Sequence, residues 1–146
     1  MPRKTERYLK WKHIDHRIIE LVNELKSIRF DTILGLSRGG MIPATILSYK
    51  LKCPNLQQLG VRTRDVKNIQ YYNNPLLTGN VLVVDDINDS GLTFDSVDEY
   101  IDYHFDHNEI KNITYCSLYQ RYNTNFKRGI TAHVIENDDW LVFPWD

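Results

Sequence analysis

The chain has 146 residues, 42% of them hydrophobic and 25% charged, values of an ordinary globular domain that exclude wholesale disorder and leave room for one modest core, not two. The formal net charge of −1 conceals a split: residues 1–67 hold 14 Lys and Arg against 6 Asp and Glu, and residues 68–146 hold 4 against 13. Such a split fits either a basic nucleic-acid arm with an acidic tail, or one fold whose two halves meet at a charged ligand.

In chain order, Ile14, Ile18, Leu21, Val22, Leu25 and Ile28 recur at three- and four-residue spacing and predict a first helix with one apolar face. Thr32-Ile33-Leu34-Gly35-Leu36 has the length and β-branching of a buried strand. Ser37-Arg38-Gly39-Gly40 breaks it, and Met41 to Leu51 reads as a helix with Pro43 in its first turn. A strand is predicted over Gln57 to Arg64, and a long polar loop over Asp65 to Gly79. Val81-Leu82-Val83-Val84 is the strongest strand signal; a loop over Asp85 to Leu92 and a helix over Thr93 to Phe105 follow. Ile113 to Tyr119 and Thr131 to Ile135 are further strands, and the tail from Trp140 to Asp146 is too aromatic for a solvated end. Strand–loop–helix units in series predict one α/β domain over 1–146 with a mainly parallel sheet. Ligands then bind beyond the carboxyl ends of the strands, at the Ser37 and Asp85 loops.

Cys53 and Cys116 stand far apart, without a Cys-x-x-Cys pair or a His at ligand spacing, so reduced buried thiols are expected instead of a disulfide or zinc scaffold. The N-terminus lacks an apolar h-region and no apolar run approaches membrane-spanning length, which leads us to expect a soluble, cytoplasmic protein. The cluster Arg3, Lys4, Arg7, Lys10 and Lys12 is a candidate basic patch whose simplest reading is a solvated arm.

Adjacent carboxylates at Asp85 and Asp86 are costly behind a buried strand unless something positive or hydroxyl-rich engages them, and Asp89 adds a third. Ser90-Gly91-Leu92-Thr93 then offers small residues, hydroxyls and backbone N–H groups at a helix N-terminus, which is an anion site. One loop therefore suits a phosphorylated sugar with a magnesium ion. Each residue alone could be a helix cap or turn former. The string from Val81 to Thr93 is apolar-apolar-apolar-apolar-Asp-Asp-x-x-Asp-Ser-Gly-x-Thr, and as a whole it resembles the phosphoribosyl pyrophosphate (PRPP) motif of the type I phosphoribosyltransferases. Ser37-Arg38-Gly39-Gly40 resembles their diphosphate loop, in which glycines admit the backbone to the ligand and Arg38 offers forked donors. In that family the peptide before the arginine position is cis, here Ser37–Arg38. A phosphorylation-receiver domain also opens on an acid pair, but near its N-terminus and with a phosphoacceptor Asp on a later strand; here the pair lies at 85–86 and Ile113 to Tyr119 ends without one.

The tail from Asp138 to Asp146 resembles the C-terminal signature of the purine, xanthine-guanine and hypoxanthine type, branch. The resemblance implies a small C-terminal hood in which Trp140 stacks on the purine and backbone groups near Leu141 bond its edge. Phe143 and Trp145 are expected to be anchors. Relatives carry a lysine after the strand matching Ile113 to Tyr119, where it donates to the purine 6-oxo group; this chain has no lysine there before Lys127, and Arg121, the nearest cation, is the candidate to bind the purine in its place. By resemblance, Ser37, Arg38, Gly39, Gly40, Asp85, Asp86, Asp89, Ser90, Gly91, Leu92 and Thr93 bind PRPP, Asp86 also serves Mg2+, and Asp89 is catalytic. Arg62, Arg64 or Lys67 could reach the diphosphate. The implied activity is transfer of phosphoribose from PRPP to hypoxanthine, guanine or xanthine by a homodimer or homotetramer, with no nucleic-acid or membrane partner. The alternative is a PRPP- or nucleotide-binding regulator without transferase activity.

Overall fold

The computed structural model describes residues 4–63 and 69–146. A six-stranded sheet runs in the order β4-β3-β2-β5-β6-β7, with β2 Thr32–Ser37, β3 Leu56–Thr63, β4 Ile69–Tyr71, β5 Gly79–Asn88, β6 Ile110–Arg121 and β7 Ile130–Ile135. Every neighbouring pair is parallel except β3 and β4. Helices α1 (Trp11–Leu25) and α2 (Met41–Lys50) cover one face, and α3 (Leu92–His104) covers the other.

The apolar run of β5 explains the two layers. Successive side chains point to opposite faces, so Leu82 and Val84 join the core under α1 and α2 while Val81 and Val83 join the core under α3. In α1, Ile14, Ile18, Leu21 and Leu25 are buried as their spacing predicts. Ile28 lies beyond the helix and is 38% exposed. Both cysteines are free and buried, and burial pushes both thiols up, which keeps them protonated and unreactive.

Three boundaries differ from the sequence reading. β5 continues through Asp85 to Asn88 beside β6, so the loop begins only after Asn88. The polar stretch after β3 contains β4, whose Ile69 to Tyr71 pair antiparallel with Thr63 to Val61. The aromatic tail forms β8 (Trp140–Val142), which pairs in parallel with β1 (Glu6–Tyr8) near the opposite end of the chain. The hood is thus built from both ends of the sequence. Among the described residues no helix is long and apolar enough to cross a membrane.

The sheet order places the site. β2 and β5 are direct neighbours, with Gly35 opposite Val84. From β2 the chain crosses by α2 to β3 on one side; from β5 it crosses by α3 to β6 on the other. This is a topological switch point, where the loops after adjacent strands open a crevice. The Ser37 and Asp85 segments emerge there side by side.

Candidate active site

The first wall is the turn after β2. The Ser37–Arg38 peptide is cis, as the resemblance implied. Ser37 Oγ donates to Leu59 O at 3.4 Å, and Arg38 is exposed. A Cβ on Gly40 would stand 2.5 Å from Val84 O and 2.6 Å from Leu36 O, and one on Gly39 would overlap Asp86 Oδ2. Only bare backbone fits this close against the end of β5. The glycine pair therefore brings the turn into contact with the acid pair.

Asp85 and Asp86 form the second wall. Asp85 Oδ1 accepts the Asp86 N–H at 2.9 Å, and Asp86 Oδ1 accepts the Ile87 N–H at 2.8 Å. Burial pushes the Asp85 carboxyl well above the usual carboxylate range, and the Asp86 charge pushes it further. Burial also raises Asp86; its contacts with Asp85, the Ile87 N–H and the Trp145 indole offset this in part, and Asp146 opposes them. Trp145 Nε1 has no hydrogen-bond partner of normal geometry, so it acts on Asp86 as a nearby dipole. Two acids held against their preference need a cation or hydroxyl-rich ligand to become comfortable as anions. A carboxyl with a raised native pKa favours folding below its ordinary range near pH 4 and loses that advantage as pH rises through the raised value. We therefore expect Asp85→Asn to raise Tm at neutral pH, with the gain vanishing below about pH 4. Thermal melts across that range check this.

The third wall is the turn into α3. Gly91 caps the helix with φ +93°, and a Cβ there would stand 2.5 Å from Phe126 N. Leu92 N donates to Ser90 Oγ at 3.2 Å, and the Thr93 and Thr63 hydroxyls meet at 3.1 Å. Sequence reasoning missed what holds this turn. Asn88, 3% exposed, donates to Phe126 O at 2.9 Å and Gln120 Oε1 at 3.2 Å, and accepts from Thr124 Oγ1 at 2.9 Å. Asn125 N donates to Ser90 O at 2.9 Å. The segment after β6 thus braces the turn into α3; the motif marks position 88 as variable, so no sequence signal could have found it.

Beneath the hood lies a cleft of about 210 Å³, lined among others by Asp86, Ile87, Asp89, Arg121, Trp140 and Asp146. Trp140 is 54% exposed, whereas Leu141 and Phe143 are buried. Trp140 N donates to Thr5 O at 2.8 Å, which ties the hood across β1 and β8. Phe143 and Trp145 stack at 5.0 Å, and Trp145 tilts against Trp11 at 5.7 Å; both anchor the tail, as expected. Arg121 lines the cleft, and its guanidinium also bonds Asp89 and two hood carbonyls. Asp146 faces the same cleft as Asp86, an acid that sequence reasoning did not single out. Of the candidate cations, Arg62 is exposed on β3, while Arg64 and Lys67 lie outside the described residues.

A magnesium ion is usually held by one or two carboxylates together with substrate phosphates. Among the described residues no group of three or more His, Cys, Asp or Glu forms a metal cage by itself. The Asp85–Asp86 pair, with its unfavourable charge, fits a cation that arrives with a phosphorylated ligand.

A doubly wound sheet that brings a glycine turn, an acid pair and a helix N-terminus together at its switch point is the arrangement that the resemblance to the phosphoribosyltransferases implies. The sequence matches the phosphoribosyl transferase domain over residues 5–146, and the chain belongs to that family. Within it, the chain is similar to type I members named for purines. It is 28% identical over 142 residues to the xanthine-guanine phosphoribosyltransferase of Gluconobacter oxydans, covering 92% of this chain and 79% of that protein. The xanthine-guanine phosphoribosyltransferase of Cereibacter sphaeroides is 27% identical over 131 residues, covering 78% and 68%. The crystal structure of a purine phosphoribosyltransferase from Pyrococcus horikoshii superposes with a TM-score of 0.83 at 27% identity, over 97% of this chain and 93% of that one. The Helicobacter pylori xanthine-guanine-hypoxanthine enzyme, 21% identical, shares the fold with a TM-score of 0.80, over 96% of this chain and 93% of that one.

Proposed function

We propose that the chain transfers the 5-phosphoribosyl group of PRPP to a ring nitrogen of a 6-oxopurine, giving the nucleotide and pyrophosphate. The observation that carries this reading is the single cleft in which Trp140 of the hood faces Asp86 and Asp89. The 5-phosphate is held by the Ser90–Thr93 turn, whose N–H groups lie at the positive end of α3. The ribose hydroxyls bond Asp85 and Asp86. The diphosphate lies against Ser37–Gly40, where Arg38 stabilises the charge that grows as it leaves. Magnesium, held through Asp86 directly or by water, supplies further neutralisation of that diphosphate when bound.

The bond from the ribose carbon to the diphosphate oxygen breaks, and the bond from that carbon to the purine nitrogen forms. Positive charge gathers on the ribose meanwhile, as in glycoside cleavage. The proton displaced from the purine's imidazole ring passes to Asp89. Trp140 presents its ring to the flat base, and the backbone at Leu141 bonds the base edge.

Losing that ring removes a stacking partner worth on the order of 1–3 kcal/mol per base. Trp140→Ala is therefore expected to raise KM for the base about tenfold or more, with KM for PRPP within about twofold. Steady-state kinetics with each substrate varied in turn check this. The activity itself is tested by incubating the protein with PRPP, magnesium and each of guanine, hypoxanthine and xanthine, and identifying the nucleotide formed. Failure with every base, pyrimidines included, would replace the transferase reading by a nucleotide- or PRPP-binding regulator.

A further inference from the structure

We propose that Arg121 is a positioning residue: one buried guanidinium clasps the hood to Asp89, so that base affinity and turnover both depend on it without its touching the purine. The part concerning turnover rests on the transferase reading; the part concerning the hood does not. Arg121 is 6% exposed and stands at the end of β6. Its Nε donates to Asp89 Oδ1 at 3.0 Å, and its Nη1 donates to Asn137 O at 2.8 Å and to Asp139 O at 2.9 Å.

Those carbonyls belong to the turn immediately before Trp140. The turn is closed by Asp139 N donating to Asn137 Oδ1 at 3.0 Å. From the other side, Trp140 N donates to Thr5 O at 2.8 Å. The aromatic wall of the cleft is therefore pinned between the first strand and Arg121. The same cation fixes the Asp89 carboxylate, which is itself half exposed. A guanidinium has donors on separate edges of a rigid plane and can serve all three acceptors at once. A lysine has its donors at one point and can serve Asp89 or the hood, but not both.

Arg121→Lys and Arg121→Ala separate these roles. In Arg121→Ala we expect kcat to fall about 100-fold and KM for the base to rise about tenfold, with KM for PRPP within about twofold. Arg121→Lys returns a cation to Asp89 and should recover kcat to within about tenfold of wild type, while KM for the base stays raised. A mere loss of stability would not divide kcat from KM in this way. Hydrogen exchange of the Asp139 and Trp140 amides in the ligand-free protein should speed up about tenfold or more in both variants. Unchanged exchange in Arg121→Lys overturns the clasp. So does a lysine variant that matches wild type in base KM, or an alanine variant whose base KM rises while kcat stays at the wild-type value, which would signal direct contact with the purine. Should no purine be turned over by wild type, the transferase reading fails and the exchange rates still decide the clasp.

Discussion

Asp89→Asn is expected to lower kcat by about 10²- to 10⁴-fold, the range for loss of a positioned proton acceptor. Asparagine matches aspartate in shape and keeps an amide oxygen for Arg121 Nε, which now donates to Asp89 Oδ1 at 3.0 Å. The position of the side chain therefore survives while its ability to take a proton does not. Asparagine keeps a polar oxygen at position 89, and ten other residues of the proposed PRPP site are untouched, so the Kd for PRPP should stay within about threefold of wild type. Steady-state kinetics beside calorimetric titration with PRPP and magnesium separate the two. A variant with normal kcat would remove Asp89 from the chemistry.

The second large effect concerns Gly39. A Cβ there would overlap Asp86 Oδ2, so Gly39→Ala must push the Ser37–Gly40 turn away from the acid pair or turn the Asp86 carboxylate. Either movement separates groups that act on one ligand, and a displacement of about 1 Å can cost on the order of 100-fold. We expect PRPP affinity to fall by about that factor. Gly129→Ala is the matched control: its added Cβ meets nothing nearer than 3.6 Å, an ordinary contact, and binding should be unchanged. Equal PRPP affinity in both variants would show that the close approach at Gly39 does not serve the ligand.

Much of this site could be read from the sequence because it is local. Val81 to Thr93 carries strand, acids, glycine and helix start in one run, and each element is dictated by neighbours in the chain. The β1–β8 pairing could not be read, since it joins Glu6 to Trp140 across the whole molecule and each strand has only three residues. β4 was hidden for a related reason: Ile69-Gln70-Tyr71 is too short to show a period. The acid pair looked like part of a loop because Asp is disfavoured in strands; pairing with Ser117 and its neighbours in β6 overrides that preference. Arg121 was legible as a departure from the family's lysine, but the carbonyls of Asn137 and Asp139 that occupy it leave no trace in side-chain chemistry.

The charge split takes on a definite meaning in this geometry. The basic half supplies the Ser37–Gly40 turn and the acidic half supplies Asp85, Asp86 and Asp89, and the adjacency of β2 and β5 brings them together. Among the described residues, most of the remaining charged side chains are exposed.

In the proposed transfer, diphosphate leaves the ribose carbon only when a purine nitrogen bonds that carbon in its place. Pyrophosphate and nucleotide measured together, with PRPP and magnesium at saturation, test it most directly. The expected result is equal amounts of both with at least one 6-oxopurine, and neither product with PRPP alone or with a pyrimidine. Pyrophosphate release that ignores the base, or none with any purine, would overturn the transferase reading.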